Sequence, residues 1–119
     1  MRGKYRVVFH ISSSDRDAFE RMISNLYNLL RDVGHTSVDA VVVANGDGIV
    51  HFLKSRVDEK TGRRLSRLRE MGVRFYVCGN TLKVKGIGED EVCSQCEVAP
   101  AGITLLVRLQ GEGYAYIKP

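Results

Sequence analysis

The spacing of apolar residues changes twice within the first forty positions. From Tyr5 to Ile11 the chain reads Tyr-Arg-Val-Val-Phe-His-Ile, a β-branched and aromatic run that predicts a strand. Phe19, Met22, Ile23, Leu26, Leu29, Leu30 and Val33 then recur at intervals of three and four, which predicts a helix. Ser12-Ser13-Ser14-Asp15 stands ahead of it as capping residues and Gly34 is its stop. Val38 to Ala44 is almost unbroken in apolar character, as a parallel strand covered on both faces requires. Asn45-Gly46 carries a hairpin signal that would turn the chain back through Ile49-Val50-His51-Phe52, but the flanking helical patterns favour a parallel connection.

Residues 59–71 predict a second helix, with Leu65, Leu68 and Met71 on one face and Gly72 at its end, and Val73 to Cys78 predict the next strand. A short helix follows, capped by Asn80 or Thr81 and ending near Gly86. After the loop with Cys93 and Cys96, Glu97-Val98-Ala99 reads as extended. Pro100 suits the first turn of a helix from about Ala101 to Gln110, with a strand over Ile103 to Val107 as the competing reading, and Tyr114 to Ile117 reads as a last strand. Strands and helices alternating at these lengths predict an α/β fold, a mainly parallel sheet covered by helices on both faces.

At 119 residues and 44% hydrophobic composition, the chain is sized for one domain over residues 1–119. Its N-terminus, from Met1 to Tyr5, passes into the first strand without the long apolar region of a secretory signal. No segment approaches the roughly 18 to 20 apolar residues that span a bilayer. The expectation is a cytoplasmic protein without membrane contact. The net charge of +4, from 18 basic and 14 acidic residues, is too modest to argue for nucleic acid as a partner. The basic segment from Lys54 to Arg69 reads as a solvated helix face. An odd count of three cysteines points to reduced or reactive thiols rather than a disulfide framework. The Arg-rich, Trp-free, Gln-poor composition suits a thermophile.

In an open parallel sheet, sites form outside the carboxyl ends of the strands. Here those positions hold His10 and Ser12, then Asn45 and His51, then Cys78, Gly79, Asn80 and Thr81. Cys78 ends a strand and faces the free N–H groups and positive dipole of the next helix, which favours the nucleophilic thiolate. The alternative is a small buried hydrophobe. Cys93-Ser94-Gln95-Cys96 is a C-x-x-C pair, readable as a redox dithiol that exchanges with Cys78, as half of a zinc site completed across subunits, or as an incidental pair; no metal is assigned. Asn45-Gly46-Asp47-Gly48 could cradle an anion, but Asp47 opposes that and a simple turn accounts for it. The serine run could do likewise, but capping accounts for it.

Val77-Cys78-Gly79-Asn80-Thr81-Leu82, Lys85-Gly86-Ile87 and the ending from Leu109 to Pro119 together resemble the DsrE/DsrF-like family, most closely its small branch of unassigned function. The resemblance implies a three-layer α/β/α domain around a five-stranded parallel sheet and a homo-oligomer, a trimer or hexamer. It also implies a sulfur carrier, related to the DsrEFH and TusBCD relays, that loads a persulfide on Cys78 from a donor protein, passes it to an acceptor protein and needs no cofactor. The sulfur carriers of the family follow their cysteine with small residues and Arg-Gly, where this chain has Gly79-Asn80-Thr81 and Lys85-Gly86. Within that implied activity His10 or His51 would adjust the charge near the sulfur and Asn80 would hydrogen-bond it. The other reading is a non-catalytic module that binds a small ligand or partner, with Cys78 structural.

Overall fold

The computed structural model describes residues 4–119. Five strands, β1 (Tyr5–Ile11), β2 (Val38–Ala44), β3 (Arg74–Cys78), β4 (Cys96–Ala99) and β5 (Ala115–Ile117), alternate with four helices, α1 (Arg16–Val33), α2 (Glu59–Glu70), α3 (Gly79–Lys85) and α4 (Gly102–Gly111). The strands form one sheet in the order β4-β3-β2-β1-β5, and every pairing is parallel. The chain therefore moves stepwise from β1 to β4 and then crosses back over the sheet to place β5 beside β1.

Handedness then fixes the layers. Right-handed crossovers made in one direction put α1, α2 and α3 on one face, and the reversed crossover puts α4 alone on the other. The core divides accordingly. Val7, Phe9 and Ile11 of β1, with Val42 and Ala44 of β2, pack under Phe19, Met22, Leu26, Leu65, Leu68 and Leu82. Val8, Val41 and Val43 pack under Leu106 and Leu109 of α4 and Tyr114. The unbroken apolar run of β2 is thus required by burial on both sides.

Local chemistry starts and stops these elements. The Asp15 carboxylate accepts from the Asp17 N–H at 3.0 Å and Asp58 accepts from the Thr61 N–H at 2.7 Å, each capping a helix for about 1 kcal/mol. α1 presents Ala18, Phe19, Met22, Ile23, Leu26 and Leu30 to the sheet and stops at Gly34. The hairpin that Asn45-Gly46 could have started does not form. Residues Gly46–Phe52 instead wind into a 3₁₀ stretch, and Gly48 lies so close to the end of β1 that a Cβ there would stand 2.2 Å from the Ile11 carbonyl oxygen. Only glycine fits. Residues 103–107 are helical rather than extended, and α3 begins at Gly79 with Cys78 as its cap, ahead of Asn80 and Thr81.

The basic segment is partly neutralised within the fold. Arg64 makes a two-pronged contact with Glu20, at 2.7 and 2.9 Å, and Arg63 meets Glu59 at 2.8 Å. No helix among the described residues is long and apolar enough to cross a membrane.

Candidate functional site

β3 and β4 are neighbours in the sheet, with Cys78 opposite Ala99, yet the chain leaves them in opposite directions: β3 into α3 on the three-helix face, β4 into α4 on the other. This is the topological switch point of the sheet, where the loops diverge and open a crevice. Cys78 sits at it. The residue is the cap of α3, and its sulfur accepts a hydrogen bond at 3.3 Å from the N–H of Gly102, the first residue of α4. Two helix N-termini converge on one sulfur, and no side chain among the described residues caps either helix. A Cβ on Gly102 would fall 3.1 Å from the Cys78 Cβ and 3.4 Å from its Sγ, so the absence of a side chain is what lets α4 approach the thiol.

Burial, at 5% exposure, pushes the Cys78 thiol up, since it disfavours the charged form. The Thr81 hydroxyl and the N–H groups of Gly102, Thr81 and Asn80 all favour the thiolate and together outweigh burial, leaving the thiol below its ordinary value. Thr81 also anchors the neighbouring loop: its Oγ1 accepts from the Gly46 N–H at 3.1 Å.

On the same side of the sheet, His10 lies near the end of β1, opposite Val43. One ring nitrogen meets the Asn45 amide oxygen at 2.8 Å, and the other meets the Tyr116 hydroxyl at 2.6 Å. Asn45 Oδ1 can only accept, so Nε2 donates to it, while Nδ1 meets the tyrosine hydroxyl, a group able to donate or accept. Burial lowers the His10 pKa, and the charge on Lys118 adds to that against the opposing Asn45 contact. Ser12 accepts from the Lys118 ammonium group.

His51 does not join this crevice. It is buried at 4% exposure on the three-helix side, stacked on Phe19 with centroids 4.8 Å apart, and its Nε2 donates to the Ser13 carbonyl at 2.9 Å. It fastens the loop before α1, and burial lowers its pKa too. Asn80 is exposed, and its backbone N–H donates to the Pro100 carbonyl at 3.2 Å. Gly79 lies buried beside β4. The Asn45–Gly48 turn spends its polar groups internally: Gly46 N–H on Thr81, Gly48 N–H on the Asn45 carbonyl, and Asp47 on Lys85 at 2.9 Å.

Cys93 and Cys96 lie elsewhere. Cys96 is opposite Phe75, three residues from the Cys78–Ala99 pair along the same ladder, and both thiols pack toward the three-helix face. Exchange with Cys78 within one chain is excluded by that separation. Among the described residues no group of three or more His, Cys, Asp or Glu side chains is placed to hold a metal.

Gly102, which donates to Cys78, and Tyr116 and Lys118, which bond His10 and Ser12, are partners of the candidate residues that the sequence reading missed. Pro100-Ala101-Gly102 ahead of an apolar helix could have marked the first. The other two become visible only once β5 is known to lie beside β1. A groove of about 480 Å³ runs between α4 and the β3–β4 edge, walled by Tyr76, Ala99, Pro100, Ala101, Leu105 and Arg108; Cys78 does not line it.

An all-parallel, doubly wound sheet with a helix-cradled thiol at its switch point defines a class of small α/β/α domains with one cysteine at the carboxyl edge. The chain belongs to the DsrE/DsrF-like family, whose model matches residues 6–119. It is similar to a solved protein of unknown function, MTH1491 from Methanobacterium thermoautotrophicum, at 38% identity over 97% of this chain and 99% of that one, with a TM-score of 0.85. The ychN protein from E. coli shares the fold at 11% identity, covering 97% of this chain and 99% of its own, with a TM-score of 0.76. BT1422 from Bacteroides thetaiotaomicron does so at 14% identity, covering 95% and 93%, with a TM-score of 0.68. No curated protein matches the sequence.

Proposed function

We propose that this protein is a cytoplasmic sulfur carrier that holds one sulfur atom as a persulfide on Cys78. The observation that carries this reading is the cradle: Cys78 stands at the N-terminus of α3 and its sulfur accepts from the N–H of Gly102 at the start of α4, surroundings that lower the pKa of the thiol. The Cys78 thiolate attacks the outer sulfur of a donor persulfide, R–S–SH. The new S–S bond forms as the old one breaks, R–S⁻ departs, and Cys78 carries –S–SH. An acceptor thiolate then attacks that outer sulfur and returns Cys78 to the thiolate, with no net oxidation and no cofactor. Membership of the DsrE/DsrF-like family supports a sulfur-relay role.

The working form is a homo-oligomer. Supporting this, Ile103 and Val107, one helical turn apart on α4, are each 63% exposed on the face that a single helix covers. Sedimentation of a monomer at micromolar concentration would overturn that part.

One observation favours a second reading, a ligand-binding or partner-binding module with a structural thiol: Cys78 is only 5% exposed, and the open apolar groove under α4 is lined without it. Intact-mass spectrometry separates the two. Wild type and Cys78→Ser are incubated with a persulfide donor, with and without reductant. A reductant-labile gain of about 32 Da in wild type alone supports the carrier. No gain, with Cys78 slow to alkylate in the folded state, supports the binding module.

A further inference from the structure

We propose that Cys93 and Cys96 form a second thiol site, independent of Cys78: a dithiol that reduces low-molecular-weight disulfides and is itself converted to an intramolecular disulfide. The two sulfurs are 3.5 Å apart across a tight turn closed by the Cys96 N–H on the Cys93 carbonyl at 3.1 Å. A turn of this kind keeps its end Cα atoms within about 7 Å, the span a disulfide needs, so side-chain rotation suffices to bond the sulfurs. The backbone on either side is fixed. The Cys93 N–H donates to the Phe52 carbonyl at 2.8 Å, and Val92 pairs with Leu53.

The two thiols are unequal. The Cys96 S–H, with the N–H groups of Gln95 and Cys96, holds Cys93 below its ordinary pKa, whereas the contact with Cys93 pushes Cys96 up. Cys93, which lines a surface depression where Cys96 does not, is the attacking thiol and Cys96 the resolving thiol. The depression measures about 260 Å³, and Cys93, 4% exposed, shares it with Lys54, Asp58, Glu59, Gly62 and Gln95. Arg69 places its positive charge close to Cys96 and donates to the Ser94 carbonyl. A small disulfide can enter there.

The chemistry balances. Cys93 thiolate attacks one sulfur of R–S–S–R, forming Cys93–S–S–R and releasing R–S⁻. The Cys96 thiol gives up its proton, attacks the Cys93 sulfur and displaces the second R–S⁻. The small disulfide is reduced by two electrons and the protein dithiol is oxidised by two.

The test uses Cys78→Ser, so that any thiol consumed belongs to this pair, incubated with hydroxyethyl disulfide and then with iodoacetamide. The expected result is a mass loss of about 2 Da, both thiols protected from alkylation, and full recovery with dithiothreitol. A peptide spanning residues 93–96 should carry the internal bond in both this variant and the wild-type chain, so the outcome survives any misfolding of the variant. Cys96→Ser should trap hydroxyethyl thiol on Cys93 as a mixed disulfide. Two thiols that still alkylate fully after treatment would overturn the proposal, as would their protection by stoichiometric zinc or their pairing between chains. Failure of persulfide loading on Cys78 would leave this result untouched.

Discussion

Thr81→Val isolates the hydrogen bond that most favours the Cys78 thiolate. Valine keeps the shape of threonine but has no hydroxyl, so the sulfur loses its side-chain donor while the N–H of Gly102 stays in place. The Gly46 N–H also loses its acceptor, but Gly46 is exposed and water replaces it at little cost. A hydrogen bond to a charged group is worth about 1.5–3 kcal/mol, and partial replacement by water takes the loss to the lower end. Since 1.4 kcal/mol corresponds to about tenfold in an equilibrium constant, the thiolate population at a pH well below the pKa should fall about tenfold.

Reactivity falls less than population. A thiolate of higher pKa is the better nucleophile, with a Brønsted coefficient of about 0.4–0.5, which returns about threefold of the lost rate. The variant should thus alkylate about threefold more slowly than wild type at low pH and about threefold faster once both are fully ionised. The two pH–rate profiles cross. The assay is the iodoacetamide rate at the Cys78 peptide, resolved by mass spectrometry from pH 5 to 10, with Thr81→Ser restoring the wild-type curve. Superimposable profiles, or a uniform offset at every pH, would refute the hydrogen-bond argument, the second by showing altered access instead.

Gly102→Ala should cost about 1–2 kcal/mol in urea unfolding, because crowding against Cys78 outweighs the better helix propensity of alanine. It should also raise the pH at which Cys78 reacts, and an unchanged profile would mean that α4 does not need this close approach. Stability should decline as pH falls through 6.5, because the unfolded chain takes up protons at His10 and His51 that the native state resists, both native pKa values being lowered. The lowered carboxyl pKa values of Glu20 and Asp58 act only at lower pH, so a urea midpoint that does not drop between pH 7.5 and 5.5 would contradict the lowered imidazole pKa values.

The elements were legible wherever period and burial agree. The helical spacing from Phe19 to Val33 and the two-sided apolar run from Val38 to Ala44 each allow one reading, and each is what the fold contains. Strand order was not legible, because it depends on contacts such as Val7 with Ala115 that lie far apart in sequence. That is why Cys78 was found by its place at a strand end, while its second helix, beginning at Gly102, was not. The same gap misplaced His51. A position after β2 does not say which face the side chain takes, and the 3₁₀ stretch turned it toward Phe19. The parallel connection preferred over an Asn45-Gly46 hairpin is the one that forms, and Gly48 packs on Ile11 there.

The return of the chain from β4 to β5 also sets an order of events during folding. Each neighbouring pair from β1 to β4 closes a loop of a few tens of residues, whereas joining β5 to β1 closes one of about a hundred, and loop-closure entropy grows with that length. Its reward is small, since β5 contributes only Ala115–Ile117 to the ladder. A nascent chain can therefore zip β1 through β4 as it emerges, while the outer edge of β1 stays bare until β5 arrives. In that interval His10 lacks its tyrosine, and the partly built sheet offers Val7, Val8 and Phe9 to any other unpaired strand.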